Sequence, residues 1–159
     1  MNEILEILEK NSHFTAEQIA VMIGKTVEET KEAIAKFEAE GVILGYNTLI
    51  NWEKVGKENV TALIEVKVTP QRGEGFDKVA ERIYKFPEVT ACYLMSGGFD
   101  LTVIIEGKTM KEVALFVAEK LAPQESVLST ATHFVLKKYK DKGTTFEVKA
   151  RDDREAIFI

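Results

Sequence analysis

The stretches TAEQ, from Thr15, and TVEE, from Thr26, carry the same helix-start signature a short distance apart. In each, the threonine hydroxyl can accept from the amide three residues on, while Gln18 or Glu29 reaches back to the threonine N–H. Gly24 stands between them as a helix stop. Two helix starts this close leave room only for a short helix and a tight link, which constrains the start of the chain to a helix-turn-helix. Ile19, Met22 and Ile23 give the first of these helices its apolar stripe, and Val27, Thr30, Ile34 and Phe37 share a face of the second. Asn2 to Lys10 predicts an earlier helix, with Ile4, Leu5, Ile7 and Leu8 on one side, broken by NSHF. Gly41 ends the third helix, and VILGYNTLIN reads as a short hairpin turning near Gly45. Three helices and a hairpin predict a winged helix-turn-helix over residues 1–50. Small three-helix domains that bind only protein share this outline.

Beyond residue 50 the pattern changes. NWEKVGKEN, residues 51–59, is polar and reads as a linker. Val60 to Val68 alternates like a strand, and Glu74 to Phe86 is helical, with Phe76, Val79, Ala80 and Ile83 on one face and Pro87 at its end. VTACYLMS and FDLTVIIEG predict two strands joined through Gly97-Gly98. Thr109 to Ala122 predicts a second helix with Thr109 and Glu112 at its start, and Val127 to Lys140 a last strand. The order β-α-β-β-α-β over residues 60–140 is a ferredoxin-like arrangement, so the expected class is α+β. The tail, residues 141–159, holds a possible strand from Thr145 to Ala150 and an apolar tip, Ala156 to Ile159.

Two helices cover one face of such a sheet, yet its strands are apolar on both. Ala62, Ile64, Val66 and Val68 alternate with Leu63; Ala91, Tyr93 and Met95 with Cys92 and Leu94; Val127, Ala131 and Val135 with Leu128, Phe134 and Leu136. A second face in water should be polar. It is expected to pack on the same face of another chain in a two-fold dimer, or to be shielded by the tail or the linker.

Charge is unevenly placed. Residues 1–50 carry nine Glu against four Lys and no Arg, a net of −5, while 17 basic and 17 acidic residues cancel in 51–159. The asymmetry supports a boundary near residue 50. Its sign opposes simple attraction to nucleic acid. Cys92 is the only cysteine, so neither an intramolecular disulfide nor a cysteine metal cluster can form. No apolar run reaches membrane-spanning length, MNEILEILEKN does not resemble a secretory signal, and the single cysteine suits a reducing compartment.

Enzyme chemistry finds little support. His13 and His133 have no Cys or Asp around them at metal-ligand spacing, and no GxSxG, HExxH or P-loop occurs. Nothing in the spacing of Ser96, Asp100 and His133 favours a triad. Cys92, in a strand, reads as buried and inert. Neither a metal nor a cofactor is expected. The turn SGGFD is more informative. Two glycines let backbone N–H groups approach a ligand carboxylate, and Asp100 sets a carboxylate beside them for an ammonium. From the residues alone, a plain hairpin turn supported by Asp100 is the simpler reading.

With these elements in place, the chain resembles the Lrp/AsnC (feast/famine) transcriptional regulators over about residues 1–140. FPEV followed by MSGGFD matches their Pro-x-Val, strand and Gly-x-x-Asp, and FEAEGVILGY matches their Leu-x-x-x-Gly-x-Ile with Phe37 at the Leu position. The resemblance implies a cytoplasmic regulator with a RAM-type second domain that dimerises through its sheet, often forms octamers, and senses small molecules, usually amino acids. It implies an effector site between dimers at Gly97 and Asp100, with Ser96 and Gly98 beside them and the polar positions Thr130 and Thr132 nearby. It turns the reading of the SGGFD turn toward a ligand site.

The same resemblance implies binding to double-stranded DNA, and here the sequence departs from the family. Ala33 and Lys36 stand where members carry Arg in the recognition helix. The outer helical face holds Glu28, Glu32 and Lys36, with Glu29 nearby, and Glu32 with Lys36 has the spacing of an ion pair. Lys25, Thr26, Lys31, Lys36 and Tyr46 are the available phosphate or base contacts. The expected function is a ligand-responsive, DNA-binding regulator and not an enzyme. Its rival is a metabolite-sensing or protein-binding assembly whose acidic winged domain does not bind DNA.

Overall fold

The structure, a computed structural model, describes residues 2–69, 73 and 75–146. The chain divides into two compact units, Met1–Ile50 and Asn51–Ile159.

The first unit contains α1 (Asn2–Lys10), α2 (Ala16–Ile23) and α3 (Val27–Ala39). Both capping boxes form, at Thr15 with Gln18 and at Thr26 with Glu29, and the Gly24 N–H donates to Ala20 O to close α2. The core is Ile4, Ile19 and Phe37, with Leu5, Leu8, Phe14, Ile23 and Ile34 packed around it. Met22, expected on the apolar stripe, is instead 54% exposed; Ala20 is buried in its stead.

The expected hairpin over VILGYNTLIN is absent: among the described residues the first unit has no strand. The cause lies at the end of α3. Gly41, at φ +67°, lets its own N–H reach Glu38 O and the Val42 N–H reach Phe37 O, a Schellman closure. Ile43 N–H donates to the same Phe37 carbonyl. The amides that would begin the first arm are already used, and the short arms that remain make a marginal ribbon.

The second unit opens with a 3-10 turn, Trp52–Val55, within the stretch read as a polar linker; Lys57 Nζ sits 4.2 Å from the Trp52 ring centre. Then follow β1 (Val60–Val68), α4 (Gly75–Tyr84), β2 (Val89–Leu94), β3 (Leu101–Gly107), α5 (Met110–Phe116) and β4 (Val127–Phe134). The four strands form one antiparallel sheet in the order β2-β3-β1-β4, the ferredoxin-like order. Its helix-covered face buries Ala62, Ile64, Val66, Leu101, Val103 and Ile105 against Val79, Ile83, Val113 and Phe116. Phe86 meets Phe116 edge to face at 5.6 Å.

Three expectations change here. The second helix ends at Phe116 and gives way to a π turn, Val117–Leu121, closed by Ala122 N–H on Val117 O. The last strand stops at Phe134 rather than Lys140. Instead β5 (Lys140–Asp141) pairs with β6 (Thr144–Thr145) in a separate small hairpin. The second sheet face is mixed rather than continuously apolar. Register places Leu63, Ile104 and His133 together there, with Glu65, Thr102 and Ala131 next to them, and His133 Nε2 lies 3.4 Å from Glu65 Oε1. Residues 147–150 of the expected tail strand and the tip Ala156 to Ile159 lie outside the described residues.

Central burial sets the expected stability. Ile64 is fully buried on a strand paired on both sides, so Ile64→Ala removes about 2–5 kcal/mol from the second unit. Val21, 83% exposed, changes stability by less than about 0.5 kcal/mol on substitution by Ala. Urea unfolding followed by circular dichroism checks both, as a lowered midpoint with an unchanged slope for the first and neither change for the second.

Candidate nucleic-acid interface and effector turn

The link between α2 and α3 holds Lys25 and Thr26, both exposed. Thr26 is committed to its helix. Its N–H and its hydroxyl both donate to Glu29 Oε2, at 3.0 and 2.9 Å, and its Oγ1 accepts the Glu29 N–H at 3.2 Å. These bonds hold the Glu29 carboxyl below its ordinary value. Lys25 lies close enough to Glu29 to add to that effect.

The other candidate contacts are also engaged with the protein. Lys31 Nζ is 2.8 Å from Glu17 Oε1, bridging α3 to α2. This partner, first by hydrogen bonding, pulls the Glu17 carboxyl down to about 2 and pushes the Lys31 ammonium up. Lys36 pairs with Glu40 at 3.7 Å, not with Glu32 as the spacing had indicated. Both choices have i,i+4 geometry, and helix geometry alone favours the carboxylate that precedes the lysine, so the pairing with Glu40 runs against the local preference. Tyr46 OH donates to Glu38 Oε1 at 2.9 Å, and its phenol is raised by burial first and by Glu38 second. Glu28, Glu32, Ala35, Lys36 and Ala39 line the exposed outer face of α3. Solvent-exposed pairs of this kind are weak and salt-screened, so phosphate can displace them. Each displacement leaves a carboxylate facing the polyanion.

In the second unit the turn from Met95 to Asp100 is fixed by three hydrogen bonds. Met95 N–H donates to Asp100 O at 2.8 Å, Asp100 N–H to Val66 O at 3.0 Å, and Val68 N–H to Asp100 Oδ2 at 2.8 Å. The Asp100 side chain thus caps the end of β1, work it performs without a ligand. Ser96, Gly97 and Gly98 project exposed, and Gly97 at φ +134° adopts a backbone that side chains disfavour. Thr130 pairs with Val66, and Thr132 with Ile64, on the helix-covered side of the edge strand, both half-buried. With strands about 4.8 Å apart, β4 lies roughly 10 Å from β3 across β1. The turn and Thr130 therefore flank the same stretch of β1, whereas Thr132 sits one pair deeper, level with Val103.

Two residues at this end carried no signal in the hydrophobic pattern. Ser126, 2% exposed, accepts from Arg82 Nη2 at 3.2 Å, and its carbonyl accepts from Thr69 N–H at 2.9 Å. A serine before a strand and an arginine on a helix are individually unremarkable; only the fold joins them.

Catalytic arrangements do not assemble. His133 lies opposite Leu63 on the second sheet face, away from Asp100 at the sheet end, so Ser96, Asp100 and His133 form no triad. Burial pushes the Cys92 thiol up. Among the described residues no group of three or more His, Cys, Asp or Glu could hold a metal ion, and no helix is long and apolar enough to cross a membrane.

Comparison with known proteins places this geometry. Residues 61–145 match the model of the Lrp/AsnC ligand binding domain. The chain is 56% identical over 156 residues to the uncharacterized HTH-type transcriptional regulator YugG of Bacillus subtilis, covering 98% of this chain and 94% of that one. It is 25% identical to a proline dehydrogenase transcriptional activator of Rhizobium radiobacter, over 89% of this chain and 90% of that one. Among solved structures, the fold is shared with a Neisseria meningitidis transcriptional regulator in complex with L-Met, at a TM-score of 0.70 and 22% identity, covering 92% of each chain. It is also shared with the leucine response regulatory protein of Mycobacterium tuberculosis, at a TM-score of 0.74 and 19% identity, over 91% of this chain and 96% of that one.

The Glu17–Lys31 pair gives a direct reading of the candidate interface. Because the folded carboxyl is lowered, the pair's stabilisation is complete above the ordinary value of 4.5 and fades as pH falls toward about 2. NMR titration of the side-chain carboxyl should give a midpoint near 2 in the native chain and a return toward 4.5 in Lys31→Gln.

Proposed function

The chain belongs to the Lrp/AsnC family of transcriptional regulators, and from that premise we propose that it is a DNA-binding regulator whose second unit dimerises and senses an amino acid. The observation that carries this reading is the ligand-binding match over residues 61–145, which contains the whole Ser96–Asp100 turn. Members of this family regulate transcription rather than catalyse reactions.

The chemistry of the turn supports an amino acid as effector. Ser96, Gly97 and Gly98 offer amides and a hydroxyl to a carboxylate, and Asp100 offers a counter-charge to an ammonium. Thr130 and Thr132, across β1, offer hydroxyls to the remainder. A relative of the same fold is bound to L-Met, and another is named for its response to leucine. Dimerisation uses the mixed second sheet face, with Leu63, Ile104, Tyr93 and Ala131 as its apolar part, and octamers are the larger assembly. The first unit acts as the winged helix-turn-helix, with residues 42–50 as an unpaired wing, and contacts duplex DNA through Lys25, Thr26, Lys31, Lys36 and Tyr46. Bound effector acts through its different affinity for assembly or orientation states. The setting is cytoplasmic.

One observation favours a second reading. Lys31 and Lys36 are both held by carboxylates, which suits a first unit that binds a protein rather than DNA. A gel shift on the protein's own upstream region, with and without a panel of amino acids, separates the two. Specific shifts altered by one amino acid support the first reading; no shift at low salt supports the second. In the same assay Asp100→Asn, which keeps an acceptor for Val68 N–H but loses the charge, should fold and shift DNA normally. Its response to the amino acid should weaken about tenfold or more. An unchanged response removes Asp100 from the effector site.

A further inference from the structure

The segment KKYKDK, residues 137–142, gathers four of the chain's 21 basic residues with one acid, a local net of +3. Lys137, Lys140 and Lys142 are exposed and Lys138 is half-buried. Tyr139 is 67% exposed and Leu136 88%. The hairpin fixes the run in place. Phe146 N–H donates to Tyr139 O at 3.0 Å, Lys140 pairs with Thr145, and Asp141 with Thr144. Lys142 and Gly143, at φ +44° and +80°, make the two-residue turn. Lys142 thus occupies a position where Asn or Asp is the usual residue, and puts a cation at the hairpin tip.

We infer that this strip, residues 137–142, is a second contact surface for the phosphate backbone of duplex DNA. The inference rests on the DNA-binding reading and relocates much of its electrostatics. The first unit carries −5 overall, and breaking its lysine pairs leaves Glu17 and Glu40 facing the phosphates. The strip carries +3 within its own six residues, and breaking the Lys138 pair leaves one carboxylate, Glu106, beside it. Lys138 Nζ stands 3.8 Å from Glu106 Oε1, and Lys137 Nζ lies 4.9 Å from the Tyr139 ring centre. Six residues reach at most roughly 20 Å, a length over which one strand of a duplex presents about six phosphates. Lysines suit such a surface because backbone contacts need charge, not the planar fork that reads a base edge. The strip adds affinity without sequence preference.

The test measures binding of the full chain to a labelled duplex from its own upstream region, by fluorescence anisotropy across salt from about 50 to 200 mM. Three proteins are compared: the native chain, a variant with Lys137, Lys138, Lys140 and Lys142 each changed to Gln, and a control with Lys78, Lys85, Lys108 and Lys111 each changed to Gln. The control removes as much charge from exposed lysines on and beside α4 and α5. Circular dichroism verifies that all three fold. In the strip variant, the slope of log affinity against log salt should become shallower by about 0.9–3.6 per protomer, while the control keeps the native slope. A strip variant with the native slope overturns the inference and leaves the DNA-binding reading standing. A control that falls equally also overturns it, since net charge then suffices. So does a strip variant that changes only the oligomeric state in gel filtration, because the strip is then a protein contact. A native chain that binds no duplex at low salt overturns the DNA-binding reading and this inference with it.

Discussion

Strand β1 is the member on which the second unit depends. It is paired on both sides, with β3 and with β4, so its backbone polar groups are satisfied by two ladders. Its alternate residues Ala62, Ile64 and Val66 are completely buried and form the floor on which α4 and α5 pack. The same strand positions the candidate effector site. Val66 O receives the Asp100 amide, Val68 N–H reaches the Asp100 carboxylate, and Thr130 lies across from Val66 on the other side. The turn is therefore mounted on one of the two central strands of the sheet, and a shift of β1 would be felt at the turn and in the core together.

Electrostatics divides the two units. In the first, carboxylates outnumber cations so heavily that the lysines of the outer helix are partnered within the protein before any ligand arrives. In the second, the charges balance overall but are sorted locally, with the lysine-rich strip around the small hairpin as the clearest case. Counterion release depends on where cations stand rather than on the net charge of the chain. An acidic protein can therefore bind a polyanion if its cations are gathered on a surface where few carboxylates accompany them.

Much of the architecture was legible because it depends on short-range physics. The two capping boxes, the stop at Gly24 and the close at Gly41 are local bonds between near neighbours, and all are present. The alternation in Val60 to Val68 and the helical spacing of Val79 and Ile83 gave the βαββαβ order correctly. The failures share another cause. The hairpin after α3 lost its first amides to Phe37 O, the last strand ended early, and Lys36 chose Glu40 over Glu32. In each, local spacing pointed to one outcome and the folded chain took another. Arg82 and Ser126, 44 residues apart, carried no pattern at all until the fold brought them together.

By itself, the sequence determined where the helices of the first unit start and stop, the order of strands and helices in the second unit, and the acidity of the first. These follow from residue type and spacing, and caps and periodicity act over one or two turns of chain. Only the tertiary structure decided that Asp100 binds Val68 N–H, that Thr130 rather than Thr132 is level with the turn, and that the second sheet face mixes Glu65 and His133 with Leu63. Those outcomes depend on strand register. Register is fixed by the simultaneous burial of residues far apart in the chain, and local spacing does not encode it.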